Sequence, residues 1–300
     1  VSSLTADRDR LVAAAQAVRG RSLWRAAAAR FLANRSAVVG LVLLTLIVGF
    51  SLFAPLLSPH DMEETYWESI QIGPTFENAH WFGTDANGRD LFVRIAAGGR
   101  ISLAIGLITA LTSLLIGVVY GAVAGYVGGR ADEWMMRIVD VLYALPLIFF
   151  IIILVTVFGR NILLVFLAIG CIEWLTIARI VRGQTIAVKE TEYIEAARSL
   201  GVPFGRMVLR HVVPNVLGPV IVFSTLLIPT VILVESFLSF LGLGVQEPST
   251  SWGLLISQGT ATLDTAPWLL LIPAGFLAAT MFAFNFIGDG LRDALDPRAR

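Results

Sequence analysis

The stretch "AVVGLVLLTLIVGFSLFAPLL", residues 37–57, holds no charged residue and no alternation of apolar with polar positions. A helix of about 20 residues, rising about 1.5 Å per residue, crosses the hydrocarbon core of a bilayer. A run of this length and character is a membrane-crossing helix, and it decides the class of fold. Five more apolar runs follow, at about 101–126, 138–158, 161–178, 215–240 and 267–288. The run at 161–178 is the shortest and carries Glu173. All six are continuously apolar, which argues against membrane strands. The composition agrees: 56% of residues are hydrophobic and 15% charged, too apolar for a water-soluble domain. The expected fold is an all-α integral membrane bundle of six transmembrane helices. The first run begins only at Ala37, after an Arg-rich arm, so it is read as a true span and not a cleaved signal peptide.

Charge orients the bundle. Eighteen of the 22 basic residues fall on one side of it. The arm 1–36 carries Arg8, Arg10, Arg19, Arg21, Arg25, Arg30 and Arg35, and segment 127–137 carries Arg130 and Arg137. The loop 179–214 adds Arg179, Arg182, Lys189, Arg198, Arg206 and Arg210, and the tail 289–300 adds Arg292, Arg298 and Arg300. Arg89, Arg94, Arg100 and Arg160 fall on the other side. The positive-inside rule places both termini and the 179–214 loop in the cytoplasm. The segment 58–100 is then external and acidic, with a short interfacial helix expected around Leu91, Phe92, Ile95 and Ala96. The five later spans form a core over 101–288.

Enzyme chemistry finds no foothold. There is no phosphate-cradling G-x-x-x-x-G-K-[ST] run, and the only lysine is Lys189. Serines show no nucleophile elbow. His60, His80 and His211 are far apart in sequence and lack metal-ligand spacing, so surface or capping roles are expected. The lone Cys171 excludes a disulfide within the chain and reads as a small buried apolar side chain. A net charge of zero points to no nucleic-acid partner. Glu173 and Glu235 are ionisable groups inside apolar runs. Such groups mark ion or proton pathways in autonomous secondary transporters. Hydrogen-bonded structural carboxylates are the commoner outcome for two lone groups near helix ends.

The polar bracket before the fifth span is the informative segment. Residues 190–200 read as a helix, with Glu195 and Arg198 one turn apart and Ala196 and Ala197 small enough for close approach. Gly201 suits the left-handed residue that ends a helix, and Pro203 suits the first turn of the next. Phe204, Met207, Val208 and His211 then share one face, Arg206 and Arg210 another, and Pro214 stops the helix. An apolar stripe on a water-side helix must pack on something, either its own bundle or a cytoplasmic partner.

Glu195-Ala196-Ala197, Gly201 and Pro214 resemble, at matching spacing, the EAA loop of ATP-binding-cassette importer permeases; His211 departs from the apolar residue common there. "HWFGTDANGRDLFVRIAAGGRISL" (80–103), "RIVDVLYALP" (137–146), "ESFLSFLGLGVQEPSTSWG" (235–253) and "GDGLRDALDPR" (288–298) are similar to C-type permeases of the dipeptide, oligopeptide and nickel importers. The resemblance runs from about Trp24 to Arg298. It implies a non-enzymatic subunit of the bacterial cytoplasmic membrane that forms half of a pathway with a second, non-identical permease. One or two separate ATP-binding subunits would hold ATP and Mg, this chain would bind no cofactor, and an extracytoplasmic binding protein would deliver substrate. Glu195, Ala196, Ala197 and Gly201 would shape the ATPase-coupling element, with Arg206 and Arg210 added from helix geometry. Peptides are the first expectation for substrate; nickel complexes and glutathione-like thiols are the alternatives within the family. A secondary transporter using Glu173 and Glu235, or a membrane scaffold, are the alternatives outside it.

Overall fold

The computed structural model describes residues 23–159 and 162–295. The first 22 residues of the arm, Arg160, and the tail residues Arg298 and Arg300 lie outside the described residues. Among those described there is no strand; a single bridge pairs Thr84 with Asp90. The helices are α1 (Leu23–Ala33), α2 (Arg35–Leu57), α3 (Leu91–Val127), α4 (Gly129–Tyr143), α5 (Leu147–Phe158), α6 (Ile162–Lys189) and α7 (Glu192–Ser199). They are followed by α8 (Phe204–Phe240), α9 (Trp252–Thr260) and α10 (Trp268–Leu295).

α2, α3, α8 and α10 are each long and apolar enough to cross a membrane. α4 and α5 count as a fifth span if taken together, but they are bent by 75°. The continuous span expected at 138–158 is therefore broken. Leu145 and Pro146 sit at the break, and a proline disfavours helical geometry in the residue before it. α4 is an amphipathic helix, with Asp132 and Val139 buried and Trp134, Ile138 and Val141 exposed. α6, which contains the expected 161–178 span, continues unbroken to Lys189, so the 179–214 loop begins as an extension of a helix. α10 likewise runs seven residues past the expected end at 288.

α3 departs most from expectation. It is one helix of 37 residues, where a short interfacial helix and a separate span were expected. At about 1.5 Å per residue it is roughly 55 Å long, well beyond the bilayer core. Its first turns are buried: Leu91, Val93, Arg94, Ile95 and Ala96 are all at most 3% exposed. They pack under Trp252 and the end of α2, so other parts of the protein cover them. Asp90 caps this helix, its Oδ1 accepting from the Val93 amide at 2.9 Å.

α3 and α6 pack most extensively. Gly121 lets them meet: a Cβ there would stand 2.3 Å from the Ala178 carbonyl oxygen. α2 packs on α10 at the other flank. Outward faces carry Leu46, Phe53, Leu56 and Leu115, each at least 60% exposed, as expected where the surroundings are lipid chains. Cys171 is exposed too, which corrects the expected buried position: on a lipid-facing helix, an apolar side chain loses nothing by pointing outward.

Candidate functional site

The bracket after α6 folds from local rules. α7 ends on a Schellman motif: the Val202 amide donates to the Ala197 carbonyl at 3.2 Å, and the Gly201 amide to the Arg198 carbonyl at 3.0 Å. The motif needs a left-handed residue, and Gly201 supplies it at φ +73°. Pro203 is the N-cap of the next helix. Pro214 does not stop that helix, contrary to expectation. Residues Met207–Val212 form a π turn in which the Val213 amide donates to Val208, five residues back, and the chain runs on as α8. Pro214 falls in the first turn of the α-helical stretch that follows, where its missing N–H is absorbed by the altered register.

The buried side of the bracket is Ile194, Ala197, Met207, Val208 and Val212. They join Val118 and Ala122 of α3 and Ile177 and Val181 of α6 in one cluster. The Met207–Val208 stripe therefore packs on its own bundle and is not free for a partner. Ala197 is 9% exposed and belongs to this seat, not to the outer surface. Tyr126 anchors the bracket from the end of α3. Phe204 packs on its ring with centroids 5.6 Å apart, and Lys189 and Arg198 lie over it at 5.7 and 5.8 Å. Arg198 thus turns to Tyr126, and among the described residues no ion pair joins it to Glu195.

The outer side keeps Glu195, Ala196, Gly201, Arg206 and Arg210 exposed. Beside them stand Leu200 at 84%, Leu209 at 66% and Phe204 at 48% exposure. Leu200 and Leu209 were not singled out from sequence. Leu209 lies off the 3.6-residue stripe, and the π turn alters the register around it. Exposed apolar residues (Leu200, Phe204, Leu209) and exposed charged ones (Glu195, Arg206, Arg210) are thus interspersed along this segment, the knob of the bracket. Behind it, Arg182 grips Asp132 of α4 with two bonds of 2.6 and 2.7 Å, tying the broken span to the helix that leads into the bracket.

A second polar cluster sits at the opposite end of α3. Asp85 closes the turn "DANGRD": its Oδ1 accepts from the Asn87 and Arg89 amides, and its Oδ2 from Arg89 and Arg94. Arg94 is 2% exposed and also donates to Gln258 of α9 at 3.1 Å. Arg89 reaches Glu247 at 2.7 Å. The Arg89 hydrogen bond is the main reason the Glu247 carboxyl lies below the usual carboxylate range. Arg94, an exception to the charge pattern, is thus a buried cation paired across three segments. Arg100 instead donates to the Ser51 carbonyl of α2 at 2.7 Å.

The two intramembrane carboxylates do not face each other in a relay. Glu235 is fully buried and accepts from Ser102 of α3 at 3.2 Å and Ser239 at 2.6 Å. Ser239 in turn accepts from the Val245 amide, fixing the loop after α8. Glu173 makes no hydrogen bond or ion pair among the described residues. Surface or capping roles were expected for the histidines; instead His80 is buried and stacks on His60, with ring centroids 4.1 Å apart. Nothing in their spacing of 20 residues signals this.

A long-helix bundle, a water-side bracket seated on it, and a polar clamp at the far end define a multi-span membrane permease subunit. Residues 117–300 match the model for the binding-protein-dependent transport system inner membrane component, and residues 22–74 match the N-terminal transmembrane domain of oligopeptide transport permease C. The chain belongs to this family of binding-protein-dependent transport permeases. It is 55% identical to the oligopeptide transport system permease protein OppC of Haemophilus influenzae, over 94% of this chain and 90% of that protein. It is 46% identical to the OppC of Bacillus subtilis over 93% and 91%, and 43% identical to the dipeptide transport system permease protein DppC of Bacillus subtilis over 92% and 85%.

Proposed function

We propose that this chain forms half of the translocation pathway of an ATP-binding-cassette importer for oligopeptides or dipeptides. The observation that carries the substrate class is the 46–55% identity, over at least 90% of both chains, to proteins named as oligopeptide permeases. The second half of the pathway is a non-identical permease, and an extracytoplasmic binding protein delivers the peptide. ATP and Mg are bound and ATP is hydrolysed on separate subunits, and this chain carries no nucleotide cofactor. It crosses the cytoplasmic membrane six times, through α2, α3, the α4–α5 pair, α6, α8 and α10, with both termini and the bracket on the cytoplasmic side.

The exposed knob supports docking to an ATPase. Leu200, Leu209 and Phe204 supply apolar contact, while Glu195, Arg206 and Arg210 supply orientation; Ala196 and Gly201 keep the knob's crest low. Ala197 acts beneath it, as the seat. Closure of the ATPases would then move the bracket as one body with α6 and α8.

Reconstitution into liposomes with the partner permease, ATPases and binding protein tests the reading. ATP-dependent uptake of labelled peptide is expected, with no uptake or ATP hydrolysis by this chain alone. Hydrolysis by the isolated chain, or preference for nickel or glutathione over peptides in competition, would reject it. Reporter fusions at Arg182 should read cytoplasmic and at Glu68 external; the reverse at Glu68 would overturn the topology.

A further inference from the structure

The segment after α2 and the N-cap of α3 bring two imidazoles and a carboxylate together. One donor atom from each of His60, His80 and Asp90 lies within 4.8 Å of the other two. His80 is 2% exposed and Asp90 is fully buried, so the set is built into the fold. His80 Nδ1 meets Asp90 Oδ2 at 2.8 Å. His60 Nε2 donates to the Asn78 carbonyl at 3.0 Å, which leaves its Nδ1 with a free lone pair. Asp90 Oδ1 is already committed to the α3 cap, which holds the carboxylate still. Tyr66 packs edge-on against both rings, with centroids at 4.8 and 5.1 Å, and walls the cluster. Asp61, Glu63 and Glu64 flank His60 in sequence and add negative charge without a basic residue among them.

We propose that His60, His80 and Asp90 form a binding site for a borderline divalent transition metal of the Zn(II) class on the face of the protein opposite the bracket. Two imidazoles and one carboxylate suit zinc, which takes nitrogen ligands at about 2.0–2.1 Å and carboxylate oxygens at about 2.0–2.2 Å. The ion enters between His80 Nδ1 and Asp90 Oδ2. The proton on His80 Nδ1 leaves, and Nε2 carries the ring proton instead, so the imidazole stays neutral. His60, half-buried on a loop, unstacks to bring its Nδ1 into range. Donor atoms around a tetrahedral ion stand about 3.4 Å apart, so the His60 donor moves in by roughly an ångström while His80 Nδ1 and Asp90 Oδ2 part by about half an ångström. Water, or a ligand from a docked protein, takes the fourth position. The bound ion would pin the segment following α2 to the start of α3.

The test uses the full chain in detergent, with an affinity tag free of histidine, stripped by chelator and titrated with zinc against a chromophoric competitor. One equivalent is expected at submicromolar affinity, with Co(II) giving visible d–d bands of a nitrogen–oxygen site. His60→Ala and His80→Ala should each weaken binding by about 10-fold or more, while His211→Ala should leave it unchanged. His60→Ala removes a half-buried loop side chain, so it decides the matter if His80→Ala misfolds. No binding at micromolar zinc, or binding that survives His60→Ala, overturns the proposal.

Discussion

Replacing Gly201 by valine isolates one backbone angle. Gly201 sits at φ +73°, and a Cβ built there meets no atom within 4 Å. The cost is therefore conformational and not a clash: about 1–2 kcal/mol for an L-residue held left-handed, towards the upper end for a β-branched one. That shifts the local equilibrium between the Schellman turn and other turns by about 5- to 30-fold. Opposing it is the seat beneath. Ile194 and Met207 are each 0% exposed, and burial of such a side chain contributes about 1.5–3 kcal/mol. The bracket should stay docked while its crest, Leu200 to Phe204, loses its single geometry. Expression and membrane insertion of Gly201→Val should match wild type. ATPase captured with the complex, or uptake per ATP hydrolysed, should fall about 5- to 30-fold. Gly201→Asn should recover most of the loss, because asparagine tolerates the left-handed region. The assay is co-purification of the complex with parallel measurement of bound ATPase, hydrolysis and peptide uptake. Wild-type coupling in Gly201→Val, or equal defects in the valine and asparagine variants, would refute the reasoning.

Other consequences of the structure are as direct. Arg94→Ala removes one of the two cations on Asp85 and the donor to Gln258, while Arg89 still compensates the carboxylate, a loss of about 1.5–3 kcal/mol; limited proteolysis should find segment 58–90 newly cleavable while the spans stay intact. Glu235→Gln keeps the shape and the capacity to hydrogen-bond with Ser102 and Ser239, so uptake should persist and remain insensitive to a proton uncoupler; loss of uptake together with uncoupler sensitivity in wild type would revive ion coupling. Glu247 has its folded pKa depressed by Arg89, so its stabilising contribution is present at neutral pH and is lost as pH falls through that lowered value. Thermal unfolding from pH 7 towards pH 3 should show an acid-side decline that is smaller in Glu247→Gln. Gly121→Leu forces a side chain against the Ala178 carbonyl and should separate α3 from α6, reducing the yield of folded chain; normal yield would refute the close crossing.

What could be read from residue order differed sharply between the two ends of α3. At the bracket, the controlling rules are local. A glycine after a short helix, a proline two residues on and small residues before it act within one turn, so the Schellman end and the positive φ of Gly201 were legible. Even there, hydropathy left two alternatives open for the stripe: Met207 and Val208 pack on the bundle as the seat, and Leu209, off that stripe, is exposed. A π turn shifts side chains around the axis without leaving a mark in a 3.6-residue pattern. At the other end the controlling contacts are distant. Arg94 stood only as an exception to the charge pattern, because Asp85 and Gln258, the latter 164 residues later, are what allow it to be buried. His60 and His80 stack only because the turns between them fold the chain back. Burial itself was poorly legible for Cys171 and the outward leucines, since lipid removes the penalty that makes hydropathy report on interiors.

The uninterrupted length of α3 gives that contrast a mechanical meaning. Asp90 caps one end of it, where Arg94 is locked to Asp85 and Gln258, and Tyr126 near the other end carries Phe204, Lys189 and Arg198 of the bracket. A helix of about 55 Å with no proline inside it joins the two polar ends without a break. The neighbouring routes are softer: α8 contains Pro219, Pro229 and a π turn, and the α4–α5 path is bent by 75°. On the proposed coupling role, a displacement of the bracket would reach the Asp85–Arg94–Gln258 clamp most directly through α3. It reaches the Glu235 region through α8, which can bend on the way.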